Sequence, residues 1–126
     1  MESLLKKVEH FHQLQNNGRA AEMNQLVSDD FFASFSLGHD SSFHTYNANE
    51  YRSGNLQAEK IYEGKRPRWE YCILGSGIRS DNEFVVSAHI DFYLDHELIK
   101  RAFCTEVYRK EQEKWKLLRQ YMEKYD

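Results

Sequence analysis

The sequence predicts an α+β fold, with N-terminal helices packed on a strongly curved antiparallel sheet, and three observations carry that expectation. Apolar residues recur at helical spacing through the early part of the chain. After Lys65-Arg66-Pro67 the chain changes to long runs of aromatic and β-branched residues separated by short polar stretches. The order, helices first and hairpin-linked strands after, separates α+β from alternating α/β. At 126 residues the chain has the size of one domain, so residues 1–126 are read as a single unit.

In the first helix, over 3–16, Leu4, Val8, Phe11 and Leu14 recur on one face, Ser3 can cap the start and Asn17-Gly18 supplies a stop. A shorter helix over 20–27 offers Ala20, Met23, Leu26 and Val27 for burial, and 31–35 reads as a short strand. Asn47, with Glu50 three residues on and Tyr46 and Tyr51 flanking the start, has the chemistry of a capping box with a hydrophobic staple. Gly54 is expected to end that third helix after about two turns. Four strands follow at 67–79, 83–94, 98–109 and 114–123, with turns near Asp81-Asn82, His96-Glu97 and Glu111-Gln112. Runs of this length imply a sheet curved around something.

Composition narrows the function classes. The chain holds 8 Phe, 8 Tyr and 2 Trp but only 6 Gly and 1 Pro, the reverse of a disordered segment. Its net charge is −3, from 17 basic and 20 acidic side chains, so no global field draws in nucleic acid or an anionic membrane. No window approaches a membrane span, and the expectation is a soluble, cytoplasmic protein with no membrane partner. Cys72 and Cys104 stand far apart without a Cys-x-x-Cys pattern, which fits reduced thiols and excludes zinc held by clustered cysteines. No cofactor is implied. Gly75-Ser-Gly77 lacks the third glycine and following helix of a phosphate loop.

Strand alternation then selects a candidate site. From Ser87 to Leu94 it places Ser87, His89, Asp91 and Tyr93 on one face. A two-residue turn at His96-Glu97 would set His89 opposite Cys104, Ser87 opposite Glu106 and Asp91 opposite Ala102. A second at Glu111-Gln112 would set Cys104 opposite Arg119, Glu106 opposite Leu117, Tyr108 opposite Trp115 and Ala102 opposite Tyr121. His89, Asp91, Glu106, Arg119, Tyr93 and Tyr121 would then share one patch framed by Trp115 and Leu117, with Trp69 and Tyr71 as rim residues.

Each of these residues has a functional and a plain reading. His89 beside Asp91 is a general base or acid, or a satisfied histidine on a polar strand face. Arg119 with Glu106 is an anion clamp, or a structural ion pair. His10 and His12, two residues apart on a helix, diverge and are expected at the surface rather than on a metal. His39, Asp40 and His44 read as a solvated loop rather than a metal site. Cys104 reads as a small buried hydrophobe.

The segment from Thr105 to Leu118, TEVYRKEQEKWKLL, couples an aromatic, a charged turn and a Trp-Lys-apolar final strand. It resembles the SnoaL-like and calcium/calmodulin kinase association-domain branch of the nuclear transport factor 2-like superfamily, and as architecture the resemblance spans nearly the whole chain. It implies a cone closed by helices around an internal pocket, a homodimer through the outer sheet face, and a small organic ligand. No catalytic signature of the characterised enzymes in that group matches here. Three functions follow as expectations: a binding protein with an aromatic pocket; a lyase or isomerase with His89 as base, Asp91 orienting it, and Arg119 with Tyr121 steadying negative charge; or an oligomerisation scaffold. The dimer also has a physical argument, since strands apolar on both faces need both covered and three short helices cover one.

Overall fold

Helix α1 (Glu2–Asn16) forms where the apolar spacing places it and buries Val8, Phe11, Leu14 and also His12; the computed structural model describes residues 2–36 and 43–125. Gly18, at φ +66°, reverses the chain into α2 (Ala20–Gln25), which buries Ala20 and Met23. Strand β1 (Val27–Ser36) starts earlier than the sequence suggests, and β2 (Phe43–Asn47) is an additional strand, largely exposed and without a hydrophobic alternation to announce it.

The capping box at α3 (Ala48–Ile61) is realised: Glu50 N–H donates to Asn47 Oδ1 and Asn47 N–H to Glu50 Oε1, both at 2.9 Å. The helix runs through Gly54, contrary to the expected stop there. A glycine inside a helix costs about 1 kcal/mol against alanine, which the following helix-forming Asn-Leu-Gln-Ala-Glu-Lys run overcomes. The chain leaves the helix at Tyr62, and Gly64, at φ +79°, takes the left-handed turn.

The four predicted strands appear as β3 (Pro67–Ser80), β4 (Glu83–Leu94), β5 (Glu97–Glu111) and β6 (Lys114–Lys124). They join β1 and β2 in a six-stranded sheet of order β2-β1-β6-β5-β4-β3, antiparallel except for β1 against β6. The sheet curls over the helices, and the even-numbered residues of β4, Phe84 to Phe92, are buried while the odd ones are half-exposed. Phe84, Val86, Tyr108 and Leu117 join Val8, Phe11, Met23 and Phe31 in one core, so the helices cover the even face of β4.

The registers differ from those expected. Both hairpins do use two-residue turns, but at Asp95-His96 and Gln112-Glu113, with positive φ at all four residues. A bulge then adds Ile99 to β5 and another adds Leu118 to β6. His89 therefore faces Phe103, Ser87 faces Thr105 and Asp91 faces Arg101, while Cys104 faces Ala88 and Met122. On β6 the bulge reverses the alternation, so Leu117 lies opposite Tyr108 on the inner face and Arg119 lies opposite Val107 on the outer one.

At the sheet edge, the far half of β3 leaves Ile73, Leu74 and Ile78 exposed. Its near half is tied to the end of α1: Trp69 N–H donates to Asn16 Oδ1 at 2.7 Å and Asn16 Nδ2 donates to Trp69 O at 2.9 Å.

The two glycines give opposite expectations. Gly54 has helical φ and open space where a Cβ would go, so Gly54→Ala should raise unfolding free energy by roughly 0.5–1 kcal/mol. Gly64→Ala forces a side chain into positive φ and should lower it by about 1 kcal/mol. Urea unfolding of both variants measures the two signs.

Candidate functional site

The polar residues that converge inside the fold surround Glu106. Its side chain sits on the inner face of β5, 2 % exposed, where His12 of α1 reaches it. The carboxylate is held by three donors: His12 Nε2 lies 3.1 Å from Oε1, Tyr108 O–H donates to Oε1 at 2.8 Å, and Gln120 Nε2 donates to Oε2 at 2.7 Å. Tyr71 of β3 lies flat on the His12 ring, with centroids 3.4 Å apart, and its hydroxyl donates to Gln15 Oε1 at 2.7 Å. Four elements thus supply one buried cluster.

Burial alone would raise the Glu106 pKa, but the neighbouring His12 and the hydrogen bonds from His12, Tyr108 and Gln120 outweigh it and hold the carboxyl below its ordinary value. Burial, and then the Glu106 charge, push the Tyr51, Tyr71 and Tyr108 hydroxyls and the Cys104 thiol upward, so these groups stay neutral beside it. Cys104 is the buried small residue the sequence suggested, and Cys72 is exposed.

The structure does not assemble the predicted patch. His89 Nε2 contacts Asp91 Oδ1 at 2.9 Å, as a pair on the outer sheet face, with Arg101 Nε 3.3 Å from the same Asp91 oxygen and Tyr125 stacked over the histidine. Glu106 is on the opposite face, because the β4–β5 register differs from the expected one by a single residue. Arg119 does not meet it: its Nη1 donates to the backbone oxygens of Asp30 and Leu118 at 2.7 and 2.9 Å in an exposed position. Tyr121 donates to Glu123 at 3.0 Å on the outer face, and Arg68 covers the Tyr93 ring at 4.5 Å. Trp115 packs edge-on to Phe84, and Leu117 is core.

His12 also departs from expectation, since its divergence from His10 predicts a surface position. It is 7 % exposed rather than at the surface, while His10 is exposed. The signal was the spacing Leu5, Val8, His12, which sets the histidine on the inward stripe of α1. Of the loop considered for a metal, His39 and Asp40 lie outside the described residues and His44 is exposed in β2. Among the described residues no three His, Cys, Asp or Glu side chains group to hold a metal.

Two concavities adjoin this cluster. A cavity of about 450 Å³ opens between the end of α1, α2, α3 and the start of β3, with Met23, Ala58, Tyr62, Pro67 and Trp69 among its walls and Asn55, Glu59, Lys65 and Arg66 as polar groups. A cleft of about 320 Å³ runs between α1 and β3. Trp69 and Asn16 belong to both, and Trp69, Tyr62 and Phe92 form an aromatic group beneath the first. Neither is lined by His89 or Asp91. No described helix is long and apolar enough to cross a membrane.

Comparison with known proteins places this geometry. The family described as SnoaL-like domain matches residues 5–122. No curated protein matches the chain. Among solved structures, an NTF-2 like protein of unknown function from Shewanella oneidensis superposes with a TM-score of 0.77 at 10% identity, covering 97% of each chain. An NTF2-like protein from Cytophaga hutchinsonii gives 0.71 at 16% identity, over 98% of this chain and 97% of that one. A candidate dehydratase of the NTF2-like family from Streptomyces avermitilis gives 0.72 at 12% identity, over 99% and 95%. At these identities the likeness is one of fold.

The Glu106 cluster makes stability depend on pH. Because the folded carboxyl titrates below the ordinary glutamate value of 4.5, the native state binds fewer protons than the unfolded chain under acid conditions. The contribution of Glu106 is therefore whole above about pH 4.5 and is lost as pH falls below it. Melting temperature measured from pH 7 downward should drop through that window, and Glu106→Gln should flatten the drop while lowering the plateau at neutral pH.

Proposed function

Because the chain belongs to the SnoaL-like domain family, we propose that it is a small-molecule-binding protein whose ligand occupies the cavity at the helix-lined mouth of the sheet. The carrying observation is the cavity itself: about 450 Å³ of space, with Met23, Tyr62 and Trp69 in its walls. That volume lies within the range of roughly 300–1,000 Å³ used for organic ligands. Several polar groups around it are already engaged, Glu59 accepting from Ala20 N–H and Asn55 donating to Asn24, while Asn17, Glu63 and Lys65 on the same lining supply groups to meet a polar end of the ligand. The ligand class is a compact organic molecule with an apolar ring or chain.

A lyase or isomerase built on His89 and Asp91 has less support. Their 2.9 Å contact suits an acid–base pair, but it lies on the outer face beside Arg101, away from both concavities, where it also suits a structural ion pair.

We also infer a homodimer through that outer face. The support is its apolar content: Val85 and Phe103 are half-exposed, and Phe32, Tyr121 and Tyr125 are between 37% and 45% exposed. The same face would serve the scaffold reading. A reducing, cytoplasmic setting is consistent with two cysteines standing as free thiols.

For the cavity, a panel of cyclic ketones and small carboxylates screened by thermal shift should include compounds that raise the melting temperature of the wild type. Ala58→Trp, which fills the space from a half-buried position, should abolish those shifts. Unchanged shifts in the filled variant, or a wild type unmoved by the whole panel, would count against the reading. For the dimer, sedimentation velocity should give a two-chain species for the wild type and a monomer for Phe103→Glu.

A further inference from the structure

An ionised carboxylate offers only acceptors, so the hydrogen between His12 Nε2 and Glu106 Oε1, 3.1 Å apart, belongs to the imidazole. Whenever the ring carries a single hydrogen, this contact places it on Nε2 and leaves the lone pair on Nδ1. Among the described residues Nδ1 has no hydrogen-bond partner, yet no fully buried side-chain nitrogen or oxygen lacks one. Nδ1 is therefore not fully buried, and His12 is one of the residues lining the cleft between α1 and β3. Leu5, Val8, Trp69, Tyr71 and Ile73 give that cleft apolar and aromatic walls, with Glu9 also on its lining.

We propose that the α1–β3 cleft is a second binding site, for a small planar molecule carrying one weakly acidic O–H or N–H, with His12 Nδ1 as the proton acceptor and Glu106 as the residue that positions it. Each part of the ligand description answers a feature of the site. The aromatic walls favour a flat apolar body, and a single basic nitrogen accepts a single hydrogen. The Glu9 carboxylate on the lining and the Glu106 carboxylate behind the ring disfavour a ligand that arrives already charged, so the ligand enters neutral, and an anion formed inside the cleft is held only as the partner of the imidazolium made with it.

Proton transfer would break the ligand O–H bond, leave its electron pair on the oxygen and form an N–H bond at Nδ1. The resulting imidazolium would be neutralised by Glu106, the arrangement by which a buried carboxylate orients and supports a histidine base. The stacked Tyr71 ring favours the cation further. The other titratable groups around the pair, Tyr108 and Cys104 on β5, Tyr71 on β3 and Tyr51 on α3, are pushed up by burial and stay uncharged, so Glu106 is the charge behind the ring. The site is distinct from the cavity at the mouth, although Asn16 and Trp69 border both.

Long-range nitrogen–proton NMR of the histidine rings tests the first half, with the His12 signals assigned by their loss in His12→Gln. The wild type alone should show the Nε2–H tautomer; an Nδ1–H tautomer overturns the proposal without recourse to any variant. Titration with 4-nitrophenol tests the second half. Its addition should shift the signals of Leu5, Val8 and Ile73, and the bound probe should show phenolate absorbance at a pH where the free probe is neutral. His12→Gln should weaken binding about tenfold, the worth of one strong hydrogen bond, and remove the phenolate band. Equal affinity in His12→Gln, or no shift at Leu5, Val8 and Ile73, overturns the proposal. Shifts confined to Met23 and Ala58 do so as well, and speak for the mouth cavity instead.

Discussion

A carboxylate taken out of water must be resolvated by the protein, and the structure depends on how Glu106 meets that demand. Leaving such a charge unpaired costs several kcal/mol, a large part of the net stability of a domain this size. Its donors come from α1 through His12, from β5 through Tyr108 and from β6 through Gln120. The helix cannot dock elsewhere, and β6 cannot slip against β5, without orphaning the charge. Hydrophobic contacts are more forgiving of sliding, so the Glu106 cluster is what fixes position where the apolar core fixes only proximity.

That requirement explains the irregularity of β6. Strict alternation would put Leu117, Arg119 and Tyr121 on one face, with the arginine delivered to the core. The extra residue Leu118 lets Leu117 and Gln120 both face inward and turns Arg119 out to the backbone of Asp30. Outside, a second polar group ties β1 to the β5–β6 hairpin: Arg109 donates to Asp30 and Glu111, and Ser28 donates to the same Glu111. These outer contacts are part-exposed and centred on a salt bridge that solvent reaches, whereas the inner ones are dry.

The contrast also shows how much could be read from the residues. Local chemistry was legible: the Asn47–Glu50 box, the stripe of α1, and four long strands bounded within a few residues. Register was not. Asp95-His96 and Gln112-Glu113 adopt turns that usually advertise themselves with Asn-Gly, and neither pair does. The bulges at Ile99 and Leu118 follow from sheet curvature and core filling, which no short window contains. A one-residue error in register moves a whole strand face, which is why His89, Asp91 and Arg119 were grouped with a glutamate that lies behind them. His12 is illegible for another reason: set against His10 it reads as a diverging surface pair, and only the stripe with Leu5 and Val8 marks it as inward-facing.

The two hydrogen bonds between Asn16 and the Trp69 backbone bear on how the protein behaves in a crowd. β3 is an edge strand, and the groups the Asn16 amide engages are those through which a foreign strand would add to the sheet. A side chain at a helix end thus impersonates the next strand and terminates the ladder there. Farther along, where Ile73, Leu74 and Ile78 are exposed, extra residues at Leu74 and Arg79 break the regular row instead. The edge is guarded by mimicry at one end and by disorder of the hydrogen-bond spacing at the other, so a sheet this long and aromatic can stay a discrete particle rather than the seed of a fibre.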